Sequence, residues 1–313
     1  MNTRILNQRF HSFKKKIAKD NKDYLTLSEI TDLAGIRIIT YLAKDVDLVQ
    51  DIVDREFDVD EKNSPDKRIP DNPKMFGYSS LHKVVALNES RRDLAEYKNY
   101  FGLKCEIQIR SVLQHAWAEI EHDLGYKNSV GIPSVLQRRF SRVAGLLEIV
   151  DSEFDEISKK MQEYENSLPG KLADAQESVE INLVSLRVAY NERSALRDLD
   201  LAIANALNIP VSLTSNSFDS IVLASGVCEI MSIEKLENLA RIYKDQIVRF
   251  ARNVDIKNVT MLNIGQGLMY LMYFLLASGK DEDRSISLLI AMGGSSENAS
   301  LIYARMVSSA LLV

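Results

Sequence analysis

"LKCEIQIRSVLQHAWAEIEHDL", residues 103–124, changes its hydrophobic period in the middle. Up to Arg110 the alternation is two, with Cys105, Ile107 and Ile109 on one side and Glu106, Gln108 and Arg110 on the other. From Ser111 the period becomes helical. His115, Glu119 and His122 then stand at i, i+4 and i+7 on one side, while Ala116, Ile120 and Leu124 are set to face a core. A strand with one apolar and one polar face, running directly into a helix, predicts an α/β domain whose sheet packs on one side and does chemistry on the other.

Working outward, "FGYSSLHKVV" (76–85) reads as a strand from Ser79 to Leu87 that places Tyr78, Ser80 and His82 on one face. The preceding stretch, 62–77, holds Pro65, Pro70, Pro73 and Gly77 and is a long loop of the kind that is functional or mobile. Further upstream, "LSEITDLAGIRIITYL" (27–42) is broken by Asp32 and Gly35 before a β-rich run from Ile36 to Leu42. Residues 3–19 read as a helix, 44–55 as a second, and 57–61 as a short strand.

Downstream of Pro133 the apolar positions are Leu136, Phe140, Val143, Leu147, Val150, Phe154, Ile157, Met161, Tyr164 and Leu168. Their steps of four and three form a heptad seam that Pro169-Gly170 should end. Such a seam needs a partner helix, in the same chain or in a second copy. Residues 171–313 read as mostly helical, with a short strand or loop in the Pro210–Val222 region and no catalytic constellation.

The chain has 313 residues, 46% hydrophobic and 27% charged, which suits a globular protein of about two domains. A net charge of -5 argues against a protein that coats nucleic acid. Residues 1–19 nevertheless carry Arg4, Arg9, Lys14, Lys15, Lys16 and Lys19 without an acidic residue, either a solvated helix face or a grip on phosphates. Cys105 and Cys228 offer no disulfide framework or metal pattern, which fits a reducing cytoplasm. The basic start lacks the apolar segment of a secretory signal, and the longest apolar run, "LMYLMYFLLA" (268–277), is half of what a bilayer crossing requires. No Gly-rich phosphate loop is present for a Rossmann or P-loop reading. The His115, Glu119, His122 spacing suits a helical metal site, but a histidine-rich helix beside a phosphate pocket explains it without a transition metal.

Four stretches in order, "ITDLAGIRI", "PKMFGYSSLH", "CEIQIR" and "HAWAEIEHDLGYK", closely resemble the synthetase domain of the RelA/SpoT family, and its small stand-alone members most. The likeness covers residues 9–127 in detail and extends loosely to about 165. It implies an α/β (α+β) fold with a mixed, mostly antiparallel five-stranded sheet flanked by helices, nucleotidyltransferase-like, followed by an all-helical C-terminal half. The implied organisation is a synthetase domain at 1–130, a heptad-patterned helix at 131–169 and a helical domain at 170–313.

The implied activity moves the β,γ-pyrophosphate of ATP to the 3′-hydroxyl of GDP or GTP, giving (p)ppGpp and AMP. Such a displacement relies on positioning and charge neutralisation, hence a Mg²⁺ ion and several cationic side chains. By resemblance, Asp32 and Glu106 bind the metal, and Glu106 orients or deprotonates the hydroxyl. Ser12, Lys16 and Arg37 hold ATP. Lys74, Tyr78, His82, Gln108, His115 and His122 serve the guanine nucleotide, with Tyr78 stacking on the base, and Tyr126-Lys127 also agree with the family.

The chain departs from the family at Leu6 and Gln8, where Arg-x-Lys is usual, and at His115, where asparagine is frequent. Arg4 or Arg9 takes over the donor contact, donor binding is weak, or further chain precedes Met1. Two alternatives stand beside the alarmone synthetase: a toxin-type relative that pyrophosphorylates the 3′ end of tRNA, and a degenerate nucleotide-binding regulator. The partners expected are nucleotides, tRNA in the second reading, no membrane, and a second copy of the chain through the 133–168 helix.

Overall fold

The computed structural model describes residues 2–7, 30–32, 34–68, 76–77, 79–126, 133–174, 178–254, 260–279, 282–291 and 296–312. Strands β1 (Asn2–Asn7), β2 (Ala34–Thr40), β3 (Phe57–Val59), β4 (Leu81–Leu87) and β5 (Cys105–Ser111) lie in the order β1-β2-β5-β4-β3. The β2–β5 pair is parallel and the other three are antiparallel. Parallel pairing follows from the connection: β3, β4 and a helix, α1 (Asp45–Glu56), intervene before the chain returns beside β2.

One face of the sheet is the core. Val46, Val49 and Val53 of α1 pack on Leu81, Val85, Ile107 and Ile109, with Ile36 and Ile38 at its margin. Each of the fully buried side chains among these contributes about 1.5–3 kcal/mol by leaving water. The alternation in β5 therefore decides the other face, and Glu106, Gln108 and Arg110 all lie there.

The sheet is mixed, with five strands, three antiparallel pairs and the one parallel pair, β2–β5, inside it. One expectation for it needs correction. The helix expected over 3–19 begins instead as strand β1, in register from Asn2↔Ile39 to Asn7↔Ala34; residues 8–19 lie outside the described ones. The β2 edge offers unpaired backbone groups, and pairing them outweighs a weak helical period.

Helix α2 (Val112–Tyr126) starts at Ser111 in a capping box: Ser111 Oγ accepts from Gln114 N at 3.1 Å, and Gln114 Oε1 accepts from Ser111 N at 2.9 Å. Its buried side is Trp117 and Ala118, packed with Ala144 and Leu147. The expected core positions are instead on the surface: Ala116 is exposed, as are Ile120 and Leu124 at 55% and 60%. Trp117 decides the register because its large ring gains most by burial.

Helix α3 (Ser134–Ala173) passes through Pro169 instead of ending there. Leu168 and Leu172, both buried, hold the extra turn against the loss of one backbone hydrogen bond. The chain forms two compact units, Met1–Lys160 and Met161–Val313.

The second unit has its own core and contains α4 (Leu183–Glu192), α5 (Ser194–Leu207), α6 (Phe218–Val227), α7 (Ile233–Ile242) and α8 (Lys244–Asn253). Next come α9 (Gln266–Ser278), α10 (Glu282–Ala291) and α11 (Ser296–Ala310). It is not all-helical, because β6 (Val211–Asn216) and β7 (Leu262–Ile264) pair in parallel. Pro210 stops helix continuation, and the extended chain after it finds a partner in β7. The apolar run at 268–277 is the buried centre of α9. Among the described residues no helix is long and apolar enough to cross a membrane.

Candidate active site

Glu106 is the second residue of β5 and pairs in register with Gly35 of β2. Its Oε1 lies 2.8 Å from His82 Nδ1, and its Oε2 accepts from Gln108 Nε2 at 3.0 Å. An ionised carboxylate only accepts, so the histidine nitrogen carries the proton in this pair. The His82 hydrogen bond holds Glu106 below its ordinary carboxylate range, against the opposing effect of burial, with Gln108 and the charge of Lys67 adding to the depression.

His82 reaches this position because β4 is register-paired with β5, His82 opposite Gln108 and Val84 opposite Glu106. The polar face expected for Tyr78, Ser80 and His82 is not an open one. Ser80 and His82 are both buried, with Ser80 Oγ donating to Ile109 O at 3.4 Å. The chain before β4 also joins the sheet, through a bridge between Asp66 and Leu81 and a bond from Lys67 N to Ser80 O of 3.0 Å. Part of the predicted loop is thereby extended structure.

The polar row continues along β5 and across to β2 and α2. Gln108 Oε1 accepts from Arg110 Nη2 at 3.1 Å and, at 3.4 Å, from Nε and Nη2 of Arg37. Arg37 stands opposite Gln108 in the parallel register, and its Nη1 makes a 2.6 Å ion pair with Glu119 Oε1. His115 Nδ1 is 3.8 Å from the same carboxylate oxygen. Arg110 is only 2% exposed, so this guanidinium buttresses the row from beneath.

The structure thus brings together Arg37, His82, Glu106 and Gln108, with His115 joined through Glu119. His122 lies about one turn past Glu119 on an exposed part of α2. Asp32 is half-buried and precedes β2 by two residues; since β2 and β5 run parallel, it stands at the same end of the sheet as Glu106. Ser12, Lys16, Lys74, Tyr78, Arg9 and Lys127, and the side chains of Arg4 and Tyr126, lie outside the described residues, although Arg4 is the register partner of Arg37 in the β1–β2 pair.

Two residues were missed by sequence reasoning. Lys67, whose charge acts on Glu106, sits in a stretch read only as loop. Glu119 was noted for metal spacing, yet it holds Arg37. No periodicity marks Lys67; the signal for Glu119 was its place one helical turn from His115.

Among the described residues no group of three or more His, Cys, Asp or Glu is placed to hold a metal ion, and the carboxylates at this end of the sheet are those of Asp32 and Glu106. Mg²⁺ typically takes one or two carboxylates together with substrate phosphates and water, so carboxylates of this kind would suit it.

The chain is similar in sequence to known proteins over its first half. The family pattern described as "Region found in RelA / SpoT proteins" matches residues 7–131. Over 153 residues the chain is 30% identical to the GTP pyrophosphokinase YjbM of Bacillus subtilis (strain 168), covering 47% of this chain and 68% of that protein. It is 29% identical over 132 residues to the GTP pyrophosphokinase YwaC of the same organism, covering 42% of this chain and 60% of that protein. Among solved structures, small alarmone synthetase 1 from Bacillus subtilis shares 26% identity over 51% of this chain and 80% of its own, with a TM-score of 0.43.

Proposed function

The chain belongs to the RelA/SpoT family, and from that premise we propose that its first unit is an ATP-dependent pyrophosphokinase acting on GDP or GTP. The observation that carries the reading is the Glu106 carboxylate, ionised, fixed by two hydrogen bonds, and set on the polar sheet face beside Arg37. In the reaction the nucleotide 3′-oxygen attacks the β-phosphorus of ATP, the bond from β-phosphorus to the oxygen of AMP breaks, and the hydroxyl proton passes to Glu106.

Arg37 is the cation for the donor phosphates. Its pairing with the half-exposed Glu119 is a weak surface interaction, readily exchanged for a polyphosphate. Asp32 and Glu106 would hold Mg²⁺, which when bound neutralises phosphate charge during the transfer. Ser12 and Lys16 complete the donor grip, with Arg4, whose backbone pairs opposite Arg37, or Arg9 as the substitute for the absent Arg-x-Lys. Lys74, Tyr78, His82, Gln108, His115 and His122 are assigned to the acceptor.

The synthetase core is assigned to 1–130, the long helix to 131–169 and a helical region to 170–313. The reading sets the protein in the cytoplasm, where both nucleotides are at hand, and pairs it with a second copy through the long helix. The deciding experiment incubates the protein with γ-labelled ATP, Mg²⁺ and either GDP, GTP or tRNA. Labelled tetra- or pentaphosphate is expected, reduced at least about a hundredfold in Glu106→Gln. Label in tRNA alone would transfer the chemistry to another acceptor, and AMP release from neither would reject it.

A further inference from the structure

Beyond the C-terminal end of β5, between α2 and α3, the first unit holds an open-sided cavity of about 380 Å³. Its lining includes Phe76, Gln114, Trp117, Leu147 and Asp151, with Lys67 at the side nearer Glu106. Asp151 is 5% exposed. Its Oδ2 accepts from Ser111 Oγ at 2.7 Å, while its Oδ1, shielded from solvent, has no hydrogen-bond partner among the described residues. A buried carboxylate oxygen left this way costs free energy, and a ligand that donates to it removes the cost. Burial, and the nearby Asp155, push the Asp151 carboxyl above its usual range, as expected for a group short of donors.

The rest of the lining narrows the ligand. Trp117 and Phe76 supply aromatic surface and Leu147 an apolar wall, which suits a flat ring. Gln114 has its Oε1 committed to Ser111 N, so its amide NH₂ remains as a donor on the cavity side. One acceptor beside one donor matches the edge of guanine: N1–H and the 2-amino group toward Asp151, O6 toward Gln114. Adenine presents the reverse pattern at the same positions.

Ser111, which holds Asp151, ends β5 five residues beyond Glu106, an odd step that turns its side chain to the face opposite Glu106, so the cavity lies past the end of the sheet and not on the polar row itself. Ser79 and Gly77, which flank Tyr78 in sequence, also line the cavity.

We propose that Asp151 is the specificity-determining residue that reads the guanine edge of the acceptor nucleotide, with Gln114 as its donor counterpart. The inference rests on the acceptor reading given under the proposed function. It is tested by calorimetric binding of diphosphates to the full chain, with no catalysis required.

The wild-type protein should bind GDP about tenfold to a hundredfold more tightly than inosine diphosphate, which lacks the 2-amino group. Asp151→Asn should lose GDP affinity by a similar factor and gain xanthosine diphosphate, whose 2-carbonyl accepts from the new amide. Equal wild-type affinity for GDP and inosine diphosphate overturns the proposal and leaves the acceptor reading standing; this comparison needs no folded variant. Unchanged base preference in a GDP-binding Asp151→Asn protein overturns it as well. Absence of any guanine nucleotide binding to the wild type removes both readings.

Discussion

Glu106 uses both carboxylate oxygens before any substrate arrives, one toward His82 and one toward Gln108. These donors stabilise the charged form, so the group stays ionised as pH falls below the ordinary glutamate range. The acid limb of kcat/KM should therefore lie below that range. Removing the largest cause, in His82→Ala, should move the limb toward higher pH, and a pH–rate profile of both proteins checks it. The same depressed pKa contributes folding stability above the unfolded value and loses it as pH falls through the folded value. An unshifted limb in His82→Ala would separate this histidine from proton handling.

At the scale of elements, the long helix α3 poses the clearest problem. Of its heptad positions, Leu136, Val143, Val150, Phe154, Ile157 and Met161 are 38% or more exposed. A stripe of this length with helical spacing is the surface on which a like helix packs, and a two-fold pairing of identical copies satisfies it with one surface. Light scattering should give a mass above that of one chain, and Phe154→Glu with Ile157→Glu should lower it to a monomer. A monomeric wild type would leave the stripe without this role. The neighbouring helix α2 carries a related lesson, since Trp117, not the isoleucine and leucine positions, selected its inner face.

Considered as a whole molecule, the described residues form three buried clusters that share no residue: one under the sheet, a small one around Trp117 and Ala144, and one among the helices of the second unit. The third is pinned by Asp200, 1% exposed, which accepts from Gly265 N and Gly267 N at 2.6 Å each and from the Tyr190 hydroxyl. It caps the entry to α9, where Gly265 adopts φ +81 and an added Cβ would stand 2.8 Å from Ile221 Cδ1. Asp200→Ala orphans three buried donors and should cost on the order of 3–5 kcal/mol in denaturant unfolding. Nucleotide binding at the first unit should survive it. A loss below 1 kcal/mol would show that water replaces the carboxylate readily.

Much of the site was legible in residues 103–124 alone. A period of two is a property of local backbone geometry, so it separated Glu106, Gln108 and Arg110 from the isoleucines without any tertiary information. Motif order in turn pointed to Arg37 and His82, which the structure sets against Gln108 and Glu106. Tertiary structure decided what depends on contacts between distant segments: that His82, read as part of an open platform, is buried against Glu106; that Lys67 and Glu119 belong to the site; and that the first strand is not a helix. It also decided that α3 continues through Pro169 and that Asp151 lines a cavity beyond the sheet. Local pattern specifies which side of an element is apolar, but hydrogen-bond partners and cavities arise only when elements far apart in the chain pack together.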